Sequence, residues 1–456
     1  MVTVLKNFII LTIDPDDRII RGGCLVIEHG KITAIGPMES IQSPLGAEVV
    51  DGHGIMAVMP GFVDAHSHSS LLRGYTENLN LMSWLPEYQR EHQVLTPEDA
   101  YWASLLCYLE ALKGGTTTVL DMYRYMDRCA DAAQTLGLRV HLAPYVADAA
   151  NKDFFETLAQ NELLLAKYHG KSNGRIKALV GLEHLFYCTP QAYRRATAMA
   201  EHYDVLLHTH SSELKSEVEA VHAHFGKLPI HQLDEYGAIG PRTLLAHGVW
   251  LEESEMNCLA DRGVAGVVLC PTSNAKLAGG IPPYGRYVEK GITTGLGTDG
   301  PISNNSLSMW ELMKFGSLQQ KLLNYDAAAL PALECLRLAT IGGAKLLRED
   351  RSIGSLEVGK AADLFTINLW QPHLMPLLRD DDHDPLPWNL VYAGRASDVV
   401  DVWVNGERLI HNGKSTKVDE DLILKKIQAQ TASLLERRKS TRSVSMASMA
   451  YVAPDQ

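Results

Sequence analysis

The stretch Pro60-Gly61-Phe62-Val63-Asp64-Ala65-His66-Ser67-His68 decides how the rest of the chain is read. An apolar run that begins at Ile55 leads through Val63 into a His-x-His pair. Side chains two apart on a strand share a face, so His66 and His68 project together. Two neutral imidazoles at that spacing are the start of a divalent metal site. Two loop histidines without a ligand role would read the same, so the other strands must decide.

Upstream, residues 2–4, 8–12, 23–27 and 31–36 are short β-rich runs parted by turn clusters such as Asp14-Pro15-Asp16-Asp17. They form a β unit too small to stand alone. Downstream the rhythm changes. Apolar runs at 57–63, 116–122, 139–146, 176–182, 205–210, 243–249, 264–270 and 293–297 alternate with helical patterns such as 97–113 and 189–202. Strands alternating with helices in this number give the α/β class and predict a (β/α)8 TIM barrel. An open doubly wound sheet is the competing architecture. A second β-rich segment opens at 353–364 and continues through 398–404 to Leu409-Ile410. It is expected to join the N-terminal strands as one flanking β-sandwich built from both termini. The predicted division is 1–55 and 351–415 for the sandwich, 56–350 for the barrel and 416–456 for a C-terminal helix and tail. The helix is expected over about 419–438, and the Ser/Ala/Met-rich tail at 440–456 is expected to be loose or packed on a neighbour.

The chain has 456 residues, 46% hydrophobic and 21% charged, which suits a soluble globular protein with a large core. A formal net charge of −12 argues against a nucleic-acid or anionic-membrane surface. There is no signal-peptide pattern and no apolar run of membrane-spanning length. The seven cysteines (Cys24, Cys107, Cys129, Cys188, Cys258, Cys270, Cys335) are odd in number and scattered, without Cys-x-x-Cys. That predicts core thiols in a reducing, cytoplasmic setting rather than a disulfide frame or a thiolate zinc site.

In a barrel, catalytic groups sit where the strands end. The first strand ends in His66 and His68, and the fourth in Glu183-His184. The fifth ends in His208-Thr209-His210-Ser211-Ser212-Glu213, the sixth in His247, and the eighth in Asp299 within Gly297-Thr298-Asp299-Gly300. Ionisable groups at five strand ends are hard to explain as packing. Together they describe a metal centre with acid and base groups around it. His208 and His210 share a face of the fifth strand, so either can turn to the metal.

These stretches make the chain resemble the amidohydrolase superfamily, in the branch of the S-adenosylhomocysteine/5′-methylthioadenosine deaminases and chlorotriazine hydrolases. Leu71-Leu72-Arg73-Gly74, residues 114–122, Leu245-Ala246-His247, Pro271-Thr272-Ser273-Asn274-Ala275-Lys276-Leu277, residues 297–306 and residues 339–342 through Asp363 carry the likeness further. The resemblance implies the barrel with its flanking β-sandwich. It also implies one divalent ion per chain, Zn2+ or Fe2+, ligated by His66, His68, His210 and Asp299, with a position left for water. Asp299 would take the water's proton. Glu213 would protonate the ring nitrogen beside the attacked carbon and return a proton to the leaving group. His247 would orient the nucleophile. The His-x-x-Glu spacing favours His210 over His208, which is then structural. Binuclear members use a lysine at the end of the fourth strand. Lys177 lies at its start, and Glu183 is the remaining candidate bridge, so one metal is expected. His184 would face the substrate.

In the adenosine-thioether deaminases of this branch, a glutamate after a Trp-Leu element holds the ribose and arginines after the third strand hold the amino-acid tail. Here Trp84-Leu85 is followed by Glu91-His92, with a one-residue ambiguity. The third strand gives Ala143-Pro144-Tyr145, with no arginine through Ala150, so a carboxylate tail loses its bidentate clamp. Tyr145 and Tyr123-Arg124-Tyr125 suggest an aromatic wall for a flat ring. The expected substrate contacts are Trp84, His92, Tyr145, His184 and Glu213. The expected reaction is attack of metal-activated water on an aminated purine-, nucleoside-, pterin- or triazine-like ring with release of ammonia. Displacement of another leaving group, such as chloride or an alkylthiol, and deamination of an adenosine thioether proper are the alternatives. A non-catalytic relative is disfavoured because every ligand is present. A small heterocycle is the expected partner, with no nucleic acid and no membrane, and a homo-oligomer is expected.

Overall fold

The computed structural model describes residues 2–148, 154–379 and 384–442. The tail from residue 443 and the positions 149–150 considered above lie outside the described residues.

Five strands open the chain: β1 (Val2–Leu11), β2 (Ile19–Glu28), β3 (Lys31–Pro37), β4 (Glu48–Asp51) and β5 (Met56–Pro60). Nine strands follow through the middle: β6 (Phe62–Ser67), β7 (Thr116–Tyr123), β8 (Arg139–Pro144), β9 (Ile176–Ala178), β10 (Val180–Gly181), β11 (Leu207–Ser211), β12 (Thr243–His247), β13 (Gly266–Leu269) and β14 (Thr294–Leu296). Four close it: β15 (Leu364–Asn368), β16 (Val399–Val404), β17 (Glu407–His411) and β18 (Lys414–Ser415).

The outer strands from both ends of the chain form one nine-stranded sheet in the order β18-β17-β16-β15-β5-β1-β2-β3, with β4 on β1. The junction of the two ends is β15 running antiparallel to β5, Ile367 opposite Ala57. Strand periodicity sorts the side chains of β1. Phe8 and Ile10 enter a local core with Leu25, Ile27, Leu364 and Trp403. Ile9 and Leu11 face the main core, which also holds Phe62 and Trp310.

The middle strands are parallel, in the orders β6-β7-β8-β9 and β10-β11-β12-β13-β14. Within each of the two sheets sequence neighbours are spatial neighbours and the order does not reverse. The run expected as one fourth strand over 176–182 divides at Leu179, whose N–H bonds to the Leu142 carbonyl at 2.9 Å. The end of β14 meets the end of β6 where the Asp299 N–H donates to the His66 carbonyl at 2.9 Å.

The expected first barrel strand, 57–63, is two strands in two sheets, β5 and β6. Gly61 separates them. A Cβ there would lie 2.0 Å from Thr117 Oγ1, so only glycine lets the chain pass β7 this closely. The apolar run reads straight across this break because both strands are buried.

Helices follow their sequence signals. α1 (Leu81–His92) is capped by Asn80. α2 (Pro97–Lys113) opens on a capping box between Thr96 and Asp99 with Pro97 in its first turn. Thr189 caps the helix Pro190–His202, and Asp419 caps the helix Glu420–Arg438. The C-terminal helix ends against α1: Arg438 donates to the Glu87 carbonyl at 2.9 Å, and Arg437 to the Val94 carbonyl at 3.3 Å. All seven cysteines are free, six of them buried. Among the described residues no helix is long and apolar enough to cross a membrane.

Candidate active site

Parallel register brings the strand ends into one layer. His210 stands opposite Ala246 and Ser211 opposite His247. The chain leaves two of these ends under strain, His247 at φ 73° and Asp299 at φ 60°. Left-handed backbone at a non-glycine costs on the order of 1 kcal/mol or more and persists where the surroundings impose it. His66, His68, His210, Glu213, His247 and Asp299 are all buried.

Hydrogen bonds fix the histidine tautomers. His68 Nδ1 lies 2.5 Å from the Met122 carbonyl, and His210 Nδ1 lies 3.1 Å from the Glu183 carbonyl. A carbonyl only accepts, so both Nδ1 atoms carry the proton and both Nε2 atoms carry a lone pair. These two Nε2 atoms face each other at 3.2 Å. His66 Nδ1 meets His208 Nε2 at 2.8 Å, and its own Nε2 is buried without a hydrogen-bond partner. Asp299 Oδ1 stands 3.3 Å from His68 Nε2 and 3.8 Å from His66 Nε2. Burial and the neighbouring imidazoles push His66 and His210 well below the ordinary histidine value, so both rings are neutral.

Lone pairs converging without a proton between them form a place for a cation. Tetrahedral zinc ligands at about 2.0–2.1 Å from the ion stand roughly 3.4 Å apart, close to the spacings here. His66, His68 and His210 can meet one ion together, their ligand atoms lying within 4.8 Å of one another. Asp299 closes the set. Its other oxygen accepts from Ser273 Oγ, and Oδ1 accepts from the Gly300 N–H at 2.8 Å. Such outer partners orient a ligand. Cys270 also approaches His66 and His247, but burial keeps its thiol protonated and a poor ligand.

A second layer carries acid and base groups. Glu213 Oε2 is 3.5 Å from His247 Nε2 and 3.9 Å from His184 Nε2. Burial, then the charges of Asp299, Glu217 and Glu183, push the Glu213 carboxyl well above the ordinary range, which favours its protonated form. Glu217 holds the turn by accepting from the N–H groups of Ser212, Glu213 and Leu214 at 3.0, 2.8 and 3.2 Å. His247 Nδ1 is held by Asn274 Oδ1 at 2.9 Å, and burial lowers the ring to about 4. His184 is the exception. Burial opposes its charge, but Glu183 at 2.6 Å raises it above the ordinary value.

Glu183 is occupied by that contact and by the Tyr145 hydroxyl at 2.7 Å, so it is poorly placed to bridge two ions, although with His184 and His210 it forms a compact group. Lys177 pairs with Glu349 at the opposite end of the strands.

The space between these groups is ≈ 20 Å3. Trp84, Tyr145, His184 and Glu213 line it as the sequence suggests, together with Leu81, Leu85 and Tyr88 of α1. His92 does not line it. Its ring is one layer out, stacked on Tyr145 with centroids 5.2 Å apart. Glu91 also turns away, accepting from Tyr123 at 2.8 Å and Ser70 at 3.1 Å, and burial pushes it up to about 7. Neither residue of the ambiguous pair therefore offers a free carboxylate to the cavity. Arg124 donates to the His92 carbonyl and likewise stays out of it. Sequence reading missed Tyr88, Asn274, Ser273 and Glu217. Tyr88 was accessible in principle, one helical turn beyond Trp84. The other three act through neighbours that are distant or on turns, and no periodicity marks them.

Imidazoles and carboxylates gathered at the ends of parallel strands, with an acid and a base beside them, define a hydrolase site. A sequence profile described as the amidohydrolase family matches residues 57–409. The chain belongs to the amidohydrolase family. It is 36% identical over 439 residues to a 5-methylthioadenosine/S-adenosylhomocysteine deaminase of Thermoanaerobacter pseudethanolicus, covering 95% of this chain and 99% of that protein. It is 36% identical over 443 residues to a 5′-deoxyadenosine deaminase of Methanosarcina mazei, covering 96% and 99%. Among solved structures it is similar to a zinc-bound adenosine deaminase from Xanthomonas campestris, with TM-score 0.88, 28% identity and 95% and 98% of the two chains covered. It is also similar to atrazine chlorohydrolase from Arthrobacter aurescens TC1 complexed with zinc, with TM-score 0.85, 25% identity and 94% and 99% covered.

Proposed function

We propose that this chain is a mononuclear metal-dependent aminohydrolase that converts the aminated carbon of an adenosine-like heterocycle to the oxo form and releases ammonia. The observation that carries the reading is the convergence of the Nε2 lone pairs of His66, His68 and His210 with Asp299 Oδ1, beside the buried Glu213 carboxyl. His66, His68, His210 and Asp299 would hold one divalent ion, and the zinc in both solved neighbours favours Zn2+. Such an ion supplies Lewis acidity that brings the pKa of a water towards neutrality.

The chain's own groups do the rest. Asp299 accepts a proton from the attacking water. Glu213 donates its proton to the ring nitrogen beside the attacked carbon. The resulting carboxylate takes the proton of the added hydroxyl as the C=O forms and passes it to the departing amine, and the proton held at Asp299 returns to Glu213. His247, fixed at Nδ1 by Asn274, presents Nε2 to the attacking oxygen. His184 and the aromatic faces of Trp84, Tyr88 and Tyr145 enclose a flat ring. Water adds, ammonia leaves, and the atoms balance.

The same proposal takes the two parallel sheets as arcs of one (β/α)8 barrel, joined where β14 meets β6. The nine-stranded sheet is its flanking β-sandwich, with the change of domain at Gly61 rather than after residue 55. The free cysteines suit a reducing compartment, and we place the protein in the cytoplasm as a homo-oligomer, which sedimentation tests.

The deciding experiment is release of ammonia, and of chloride, from a panel of adenosine, 5′-deoxyadenosine, 5′-methylthioadenosine, S-adenosylhomocysteine, adenine, aminated triazines and a chlorotriazine, with metal content measured on the same preparation. Ammonia from a purine with about one metal per chain is expected. Chloride from a chlorotriazine without ammonia from any amine overturns the deaminase reading, and two metals per chain overturn the mononuclear site.

A further inference from the structure

We infer that His208 is a positioning residue for the metal site, holding the His66 ring in the one tautomer that turns a lone pair on Nε2 towards the other ligands. The inference rests on the metal site proposed above. His208 Nδ1 lies 3.1 Å from the Leu244 carbonyl, which can only accept, so the His208 proton is on Nδ1. His208 Nε2 therefore carries a lone pair. It lies 2.8 Å from His66 Nδ1, which must donate to it. With its proton on Nδ1, His66 has its lone pair on Nε2, the atom buried without a partner beside Asp299. The reverse arrangement would set a His208 lone pair against the Leu244 carbonyl in a site with no water exposure.

His66 differs here from the other two histidines. His68 and His210 are fixed by main-chain carbonyls, of Met122 and Glu183, which no substitution removes. Only the partner of His66 is a side chain. It must accept at one end and donate at the other while fully buried, which an imidazole on β11 reaching His66 of β6 and the Leu244 carbonyl of β12 does. β11 thus supplies a ligand at His210 and, two residues earlier, the support for a ligand on β6.

The test uses the full chain and three variants, His208→Met, His208→Gln and His68→Ala. Methionine fills the space without a comparable acceptor, whereas glutamine keeps both an acceptor and a donor. Zinc affinity, read by competition with a chelator, is expected to fall about 10–100-fold in His208→Met and to stay within about threefold in His208→Gln. The cobalt(II) absorption bands should shift in the methionine variant only, and metal-free melting temperatures should be alike in the two. In unaltered protein labelled with nitrogen-15 histidine, a nitrogen–nitrogen coupling across the His66–His208 hydrogen bond is expected, a readout that needs no variant to fold. A methionine variant that binds zinc as tightly as the unaltered chain, a glutamine variant that weakens as much as methionine, or absence of the coupling overturns the role. If the unaltered chain binds zinc no better than His68→Ala, the metal site falls and this role with it.

Discussion

The two ends of the parallel strands handle buried charge in opposite ways. At the N-terminal ends each carboxylate has its cation. Glu349 meets Lys177 and His141, and Asp363 receives Arg139 through Nε at 2.7 Å and Nη2 at 3.2 Å. Burial opposes the Glu349 charge, but His141 and Lys177 overcome it and hold the carboxyl down to about 2. At the C-terminal ends no lysine or arginine among the described residues lines the cavity, and Glu213 is pushed up instead. One end completes its electrostatics with its own residues and serves stability. The other directs lone pairs and a buried carboxyl at a common centre, as a site for bound species does.

The largest effect should come from Glu213→Gln. Turnover is expected to fall by about 10^2–10^4 while metal content stays unchanged, measured by ammonia release and elemental analysis. The melting temperature should hold or rise, since a carboxyl crowded by carboxylates is removed. A near-normal rate would reject the proton-transfer role.

His66→Ala should cut zinc content from about one per chain to a small fraction, with folding retained by circular dichroism. Retention of full zinc would remove His66 from the ligand set.

Glu349→Gln tests the other end. Stability at pH 7 should drop by about 2–3 kcal/mol in denaturant titration, with turnover nearly unchanged. The carboxyl binds its proton more weakly when folded, so its contribution is full above about pH 4.5 and is lost as pH falls towards about 2. The variant should therefore lose less stability than the unaltered chain across that window. A loss of turnover matching Glu213→Gln would dissolve the contrast between the ends.

The smallest effect expected is Gly61→Ala, costing about 1–3 kcal/mol because the added methyl meets Thr117. Unchanged stability would show that the close pass of β7 relaxes freely.

Most of the site was legible because residue type and strand-end position reinforce each other. His66, His68, His210, Glu213, His247 and Asp299 all stand where alternating strands and helices place them. Strand parity could not separate His208 from His210. Both point inward, and only height along β11 distinguishes His210, level with His68, from His208 beneath it. The Glu91-His92 ambiguity had a similar cause. Adjacent helical positions point about 100° apart, but which faces the cavity depends on how α1 lies over the strands. Gly61 was hidden because burial on both sides makes two strands in different sheets read as one apolar run.

The ≈ 20 Å3 cavity has a consequence for binding. It has room for about one water, whereas pockets that take small organic ligands begin near 300 Å3. Leu81, Trp84, Leu85 and Tyr88 of α1 form one wall of this space, so a bound ring would need that wall to give. If α1 must withdraw to admit it, the apparent affinity is the intrinsic affinity multiplied by the fraction of molecules with α1 withdrawn. Arg437 and Arg438, which fasten the C-terminal helix to α1 and its following turn, would then bear on the Michaelis constant although neither lines the cavity.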